Sequence, residues 1–385
     1  MAEILILGGG FGGLAAAHEL ATALPDARLT LVANRTSFYM GFAKLWDLAG
    51  FRPLTGGTVE LARLKDRGIR FIRAEVSAMD LKQLTISTSE GALEADAILI
   101  ALGADAKPAH LDLLAGDRAY DLYDGAQLTE IHRALDEVEA GMVLISILGM
   151  PIKCPPAPFE AALIVDEVLR RRGVRDDVGV AISTPAPMTL PVAGADASEF
   201  VAQHLLERGV QLLTEHALAE VDSGGRVARF GGGDQLEYSV LLGVPASVAP
   251  PVVTGVPGLA GPSGWIEPDP RTLRTSFDRV YAAGDCTAIP AGKGQLPKAG
   301  VFAAAEGRVA ARNIAADLTS SPPAEFDGRG FCFLELPGRN VAYVEGDWYA
   351  PGGPQVQLTA ADQRSFERKQ AYERELLEQW FNAAS

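Results

Sequence analysis

The chain is poor in cysteine and histidine and short of positive charge. Its three cysteines, Cys154, Cys286 and Cys332, are too few for a disulfide framework, and no two are spaced to hold zinc. The five histidines are scattered without ligand spacing, so no metal site is expected. No apolar run reaches the roughly 18 residues of a membrane span. The first apolar run, residues 4–7, stops at glycines and is too short for a secretory signal. These absences point to a cytoplasmic protein with at most peripheral membrane contact. Lys and Arg total 34 against 49 Asp and Glu, a net charge of −15. That balance leaves little basic surface for a phosphate backbone and excludes nucleic acid as the main partner.

Glycine and apolar residues are plentiful, with 41 glycines and 48% hydrophobic residues in a chain of 385. The length suits two or three domains with cores of their own. Residues 4–7 read as a buried strand, Gly8-Gly9-Gly10-Phe11-Gly12-Gly13 as a turn, residues 14–24 as a helix and residues 29–33 as the next strand. Strand signals recur at 69–72, 84–86 and 97–102. A second unit starts near residue 111. It has a helix around 128–138, a strand at 142–148, a proline-rich turn holding Cys154, and a helix at 159–172. A strand at 178–182, a helix at 198–208 and a strand at 210–213 follow. Residues 245–270 are rich in proline and glycine and read as an irregular wall. A short strand then ends at Gly284-Asp285, and a helix is expected over 297–318, opened by Pro297. Strands near 331–336 and 341–344 and a charged helix over 359–381 close the chain.

Gly8, Gly10 and Gly13, between a strand and a helix, form a dinucleotide-binding signature with Phe11 inside it. Such a turn lets the backbone approach a pyrophosphate, and the helix N-terminus offers free N–H groups. Where an acid often closes the second strand stands Asn34, either a weaker ribose ligand or only a turn residue. Arg35 follows, suited to adenine or phosphate. Residues 279–285, ending in Gly284-Asp285, resemble the second FAD motif of two-dinucleotide-domain flavoproteins. There Asp285 would meet the ribityl or pyrophosphate region. Residues 96–104, with Ala101 and Gly103, resemble the linking strand of the same proteins, and together the three segments imply FAD.

The turn after the strand at 142–148 lacks the glycines of a second nucleotide site. Its prolines have no N–H to offer a pyrophosphate, so a pyridine nucleotide is not expected there. Cys154 stands in that turn, next to Lys153 and ahead of a helix. Both neighbours would favour thiolate; a buried, inert thiol is the alternative.

Residues 153–160, Lys-Cys-Pro-Pro-Ala-Pro-Phe-Glu, are similar to the active-site segment of the sulfide:quinone oxidoreductases and of the flavoprotein subunit of flavocytochrome c sulfide dehydrogenase. Residues 284–285, 296–300 and 328–332 resemble the same families, and the likeness spans nearly the whole chain. It implies a redox pair, Cys154 and Cys332, beside FAD, with sulfide or a related small thiol or persulfide as substrate. It implies a quinone or a c-type cytochrome as electron acceptor. Glu160 matches a family acid/base; its other reading is an ordinary first-turn glutamate favoured by the helix dipole. No further cysteine lies in 101–140, and Gly41 stands where a flavin-tethering cysteine would be, so FAD is expected to be non-covalent. Cys286 reads as a small packing residue. The helix from Pro297 would point its N-terminus at the flavin, with Lys298 adding charge there or lying in solvent. The C-terminal helix reads as domain packing or a homodimer contact.

The resulting fold class is α/β. It has an FAD-binding domain from residues 1–110 and 243–318 and a second Rossmann-like domain, 111–242, with a degenerate fingerprint. A small α+β region, 319–385, caps the flavin. Two rival readings are a type II NADH dehydrogenase and a non-catalytic FAD-bound electron carrier.

Overall fold

The apolar strand runs assemble into two parallel five-stranded sheets. The structure is a computed structural model that describes residues 1–222, 224–292 and 294–382. In spatial order the first sheet is Val280–Ala282, Ala97–Ile100, Glu3–Leu7, Arg28–Ala33 and Arg70–Arg73. The second is Ala119–Asp121, Val240–Val244, Gly141–Ile147, Val178–Ser183 and Gln211–Leu213. Every neighbouring pair in both sheets is parallel. Parallel strands need cover on both faces, which explains why residues 4–7 are apolar throughout and at most 2% exposed.

The two sheets share a plan. Each carries a three-stranded antiparallel insert: Val76–Asp80, Thr85–Thr88 and Gly91–Glu94 between the third and fourth strands of the first in chain order, and Leu218–Asp222, Val227–Phe230 and Gln235–Glu237 between the fourth and fifth of the second. Val240–Val244 runs past residue 242, so the second sheet extends slightly beyond the boundary read from the sequence. The two connecting segments pair antiparallel, Asp105–Ala106 with Ser247–Val248. In the first sheet the strand order reverses between Glu3–Leu7 and Ala97–Ile100. A ligand crevice belongs there, at the carboxyl ends of those strands.

The helix expected from Pro297 begins at Gly300 and runs to Thr319. Residues 297–299 stay extended because the Lys298 carbonyl accepts the Cys154 N–H at 2.7 Å, within a parallel bridge between Lys153 and Lys298. The first helix starts earlier than expected, Phe11–Ala23 with Gly10 as its N-cap. The last, Gln363–Phe381, starts later, where the Asp362 carboxylate accepts the Ser365 N–H.

The C-terminal strands Arg329–Leu336, Asn340–Asp347 and Gln355–Leu358 form an antiparallel sheet whose side chains enter the cores of both domains. Alternation along the strand assigns its faces. Phe333 packs into the first domain's core, while Leu334 and Leu336, on the same face as Cys332, pack into the second domain's core. That face meets the helix Ala157–Arg172, which carries Glu160. The final helix buries Phe366, Leu376, Leu377, Trp380 and Phe381 within the chain, and Trp380 stands edge-on to Phe11 of the glycine turn at 5.9 Å. Each such side chain contributes about 1.5–3 kcal/mol when fully buried. No helix among the described residues is long and apolar enough to cross a membrane.

Candidate active site

The glycine turn is built from two kinds of glycine. Gly8 has φ +118°, and a Cβ there would lie 2.0 Å from the Ala101 carbonyl oxygen. A Cβ on Gly13 would lie 1.9 Å from the Gly8 oxygen. Both are demanded by the chain's own packing. Gly10 is different: a Cβ there would meet nothing within 4 Å. Its bare backbone faces a cavity, beside a helix N-terminus that no side chain caps.

That cavity has a volume of about 730 Å³. It is lined by Gly8, Gly10, Phe11, Asn34, Arg35, Ala101, Gly103, Gly284, Asp285 and Lys298. Gly13 does not line it, which corrects the reading of Gly13 as a cofactor contact; it serves the turn from behind. Gly41 does line it, exposed, with open space around its Cα. Lys298 is neither solvent-exposed nor free. It is buried, and its ammonium donates to the carbonyls of Asp285 (2.8 Å) and Thr287 (2.9 Å) and lies over the Trp265 ring. It fixes the Gly284-Asp285 turn. Open backbone at the glycine turn, an uncapped helix end and a cavity in the size range of cofactor sites together fit a dinucleotide.

Cys154, Cys332 and Glu160 line the same cavity. Cys154 has φ +47°, a strained value for a side chain of its kind. Three hydrogen bonds hold it there. Its N–H donates to Lys298, and its carbonyl accepts from the Ala157 N–H (3.0 Å) and the Tyr123 hydroxyl (3.1 Å). The two half-buried thiols are free and lie side chain to side chain. The expected depression of the Cys154 pKa is reversed. Its contact with Cys332, then burial, then the charge of Glu160 hold the thiol well above its ordinary value. Lys153 is not aimed at the thiol; its ammonium donates to the Ala104 carbonyl at 3.1 Å. The cation that opposes the rise is Lys369.

Lys369 belongs to a buried network that sequence reasoning missed. Glu160 is 2% exposed; its Oε1 accepts the Glu335 N–H at 2.5 Å and lies 4.0 Å from Lys369 Nζ. Lys369 Nζ donates to Glu335 Oε2 at 2.6 Å, and Trp46 Nε1 donates to the same oxygen at 2.9 Å. Burial pushes Glu160 up to about 7, against the pull of Lys369 and the Glu335 N–H. On Lys369 burial pulls downward, but Glu335 and Glu160 outweigh it and its pKa is raised. The signal was present: Lys369 falls on the stripe of Phe366, Leu376 and Trp380, where an amphipathic helix should be apolar. Glu306 is similar. It sits buried in an otherwise small and apolar helix face, accepts the Gly284 N–H at 2.6 Å, and burial pushes it to about 7. Cys286 is fully buried and donates weakly to the Ala283 and Ile100 carbonyls; burial raises its thiol to about 12.

Two Rossmann-type sheets, a nucleotide cavity at the switch point of one, and a cysteine pair at its wall define a flavoprotein of the disulfide-reductase type. Residues 2–141 and 161–307 match the model of the pyridine nucleotide-disulphide oxidoreductase family, and the chain belongs to that family. It is an FAD-binding oxidoreductase. The unmatched interval, 142–160, contains the Cys154 turn. The chain is 25% identical over 339 residues to the sulfide-quinone reductase of Aquifex aeolicus, covering 83% of this chain and 77% of that one. It is 23% identical over 349 residues to a type II NADH:quinone oxidoreductase of Staphylococcus aureus, covering 84% and 85%. The crystal structure of the Aquifex aeolicus sulfide:quinone oxidoreductase superposes with a TM-score of 0.86 over 99% of this chain and 92% of that one, at 20% identity. At that identity the match speaks for the fold.

Proposed function

We propose that the protein oxidises sulfide, or a related small thiol or persulfide, through Cys154 and Cys332, and passes the electrons to a quinone or a c-type cytochrome. The observation that carries this reading is the meeting of the two thiols, from distant parts of the chain, with Glu160 at the wall of the nucleotide cavity. The likeness to a sulfide-quinone reductase supports it. In the oxidised enzyme, hydrosulfide attacks the Cys154–Cys332 disulfide. The old S–S bond breaks, a new one forms as a persulfide on one cysteine, and the other leaves as thiolate. Glu160, near 7, takes the proton that the persulfide sheds. FAD, when bound, supplies the two-electron acceptor. An anaerobic sulfide titration followed at the flavin absorption band tests the reading; no bleaching would overturn it.

FAD is held without a covalent link in this reading, since Gly41 offers no side chain to bond it. Acid precipitation should leave yellow flavin in the supernatant, and colour retained in the pellet would contradict this.

The likeness to a type II NADH:quinone oxidoreductase makes NADH the alternative electron donor. The second sheet argues against it. At its turn a Cβ on Gly149 would lie 2.6 Å from the His110 ring, which fills the approach a pyrophosphate needs. Stopped-flow reduction by NADH is therefore expected to be at least about a hundredfold slower than by sulfide, the turn having no N–H cradle to bind the nucleotide. Comparable rates would restore the NADH reading.

A further inference from the structure

Lys44 and Lys153 are two cations with no part in the reaction as written. Lys44 lies on the short helix Ala43–Leu48, and Lys153 directly precedes Cys154. Both line the cavity together with Cys154. Lys44 Nζ donates to the Tyr123 carbonyl at 2.6 Å and stands 5.0 Å from the centre of the Tyr123 ring. The Tyr123 hydroxyl holds the Cys154 carbonyl, so one residue links the ammonium to the strained cysteine. An ammonium group has three donors. Among the described residues each lysine spends one on a carbonyl and neither forms an ion pair.

Lys153 has a counter-charge: Asp285 lines the same cavity, and the Lys153 charge opposes the rise that burial imposes on its carboxyl. The acids near Lys44 are held by backbone N–H groups. Asp121 accepts the Tyr123 N–H at 2.7 Å and Asp124 accepts the Ala126 N–H at 3.0 Å, and neither lines the cavity. Glu160 does line it, but its carboxylate is engaged with Glu335 and Lys369. Burial, then repulsion from Lys153, lowers Lys44 to about 8, with Asp121, Cys154 and Asp124 pulling the other way. Lys44 is then a half-buried ammonium without an ion pair among the described residues, in the cavity that holds Cys154, a costly arrangement that a small anion would relieve.

We propose that Lys44 is an anion-positioning residue: its ammonium group holds a small sulfur anion, hydrosulfide in the proposed reaction, beside Cys154. The assignment of hydrosulfide rests on the reading above; the unpaired Lys44 ammonium itself does not. Hydrosulfide is a compact monoanion whose desolvation in the cavity is offset only by a paired charge, and neutral thiols gain nothing from it. The site thus selects substrates by charge as well as by size.

The test uses the reduced, FAD-loaded protein. Cys154 is alkylated with iodoacetate, an anion, and with iodoacetamide, its neutral analogue, and the Cys154 peptide is followed by mass spectrometry. In Lys44→Met the ratio of iodoacetate to iodoacetamide rates should fall about tenfold, the loss of one nearby unit charge. Lys44→Arg should keep most of the ratio, and both variants should keep full FAD content. The sulfide concentration for half-maximal flavin reduction should rise by a similar factor in Lys44→Met, with the limiting rate changing far less. An unchanged alkylation ratio would overturn the proposal. Loss of FAD from both variants would overturn it too, placing Lys44 on the cofactor instead. If sulfide fails to reduce the wild-type flavin, the sulfide reading falls, while the alkylation ratio still decides the role of Lys44.

Discussion

Cys154→Ser and Cys332→Ser are each expected to slow flavin reduction by sulfide by roughly a thousandfold or more, as loss of a nucleophile does. Both should keep the fold and the bound flavin. Each thiol is only half-buried and faces the cavity, so an isosteric hydroxyl leaves no hole in the core. What serine cannot do is form the disulfide that sulfide opens. The burial and mutual contact that raise Cys154 make the free dithiol a poor thiolate source, which favours a mechanism starting from the oxidised pair. If the pair closes, its Cα atoms should lie about 4.4–6.8 Å apart. Cys286→Ser is the control. Cys286 lies beneath the Gly284-Asp285 turn, bonded to carbonyls, and its replacement should leave the rate near wild type. Stopped-flow reduction under anaerobic conditions measures all three. Wild-type rates in both Cys154→Ser and Cys332→Ser would remove the pair from the mechanism.

The parts of this site legible in the sequence were those fixed by local backbone chemistry. A glycine turn between strand and helix identifies itself, because few other residues tolerate φ +118° at Gly8. The proline-rich turn around Cys154 is equally visible. The errors arose where tertiary contacts decide. Lys153 and the following helix pointed to thiolate, yet burial against Cys332 wins and Lys153 turns to Ala104. Gly13 belongs to the same motif as Gly10 but packs on Gly8, a distinction that depends on which way each Cα faces. Pro297 suggested a helix start, but the Lys298 carbonyl is claimed by Cys154 from the other domain and the helix waits until Gly300. Pairing of that range in sequence leaves no local trace.

Lys369→Met is expected to destabilise the protein by about 3–5 kcal/mol at pH 8, the cost of leaving buried charges without their partner. Methionine fills the space of the lysine stem, so packing is nearly conserved. What is lost is the cation between Glu160 and Glu335, both almost fully buried. The effect should depend on pH in a definite direction. Glu160 titrates near 7 in the folded chain against 4.5 for an ordinary glutamate. A raised carboxyl contributes stability that is complete below pH 4.5 and is lost as pH rises to 7, roughly 3 kcal/mol in all. Lys369 restrains that rise. Without it the folded value moves above 7, and the window of loss extends upward. At pH 5 Glu160 is already neutral, so the deficit of Lys369→Met should shrink to about 1–2 kcal/mol, close to the loss of one charged hydrogen bond. Adding Glu335→Gln should recover much of the stability at pH 8, because one buried carboxylate is removed. The proton acceptor for sulfide oxidation should also titrate higher in Lys369→Met, shifting the pH profile of flavin reduction upward. Urea unfolding at pH 5 and pH 8 checks the first claim. Equal deficits at the two pH values, with no rescue by Glu335→Gln, would mean that Lys369 acts through packing and not through charge.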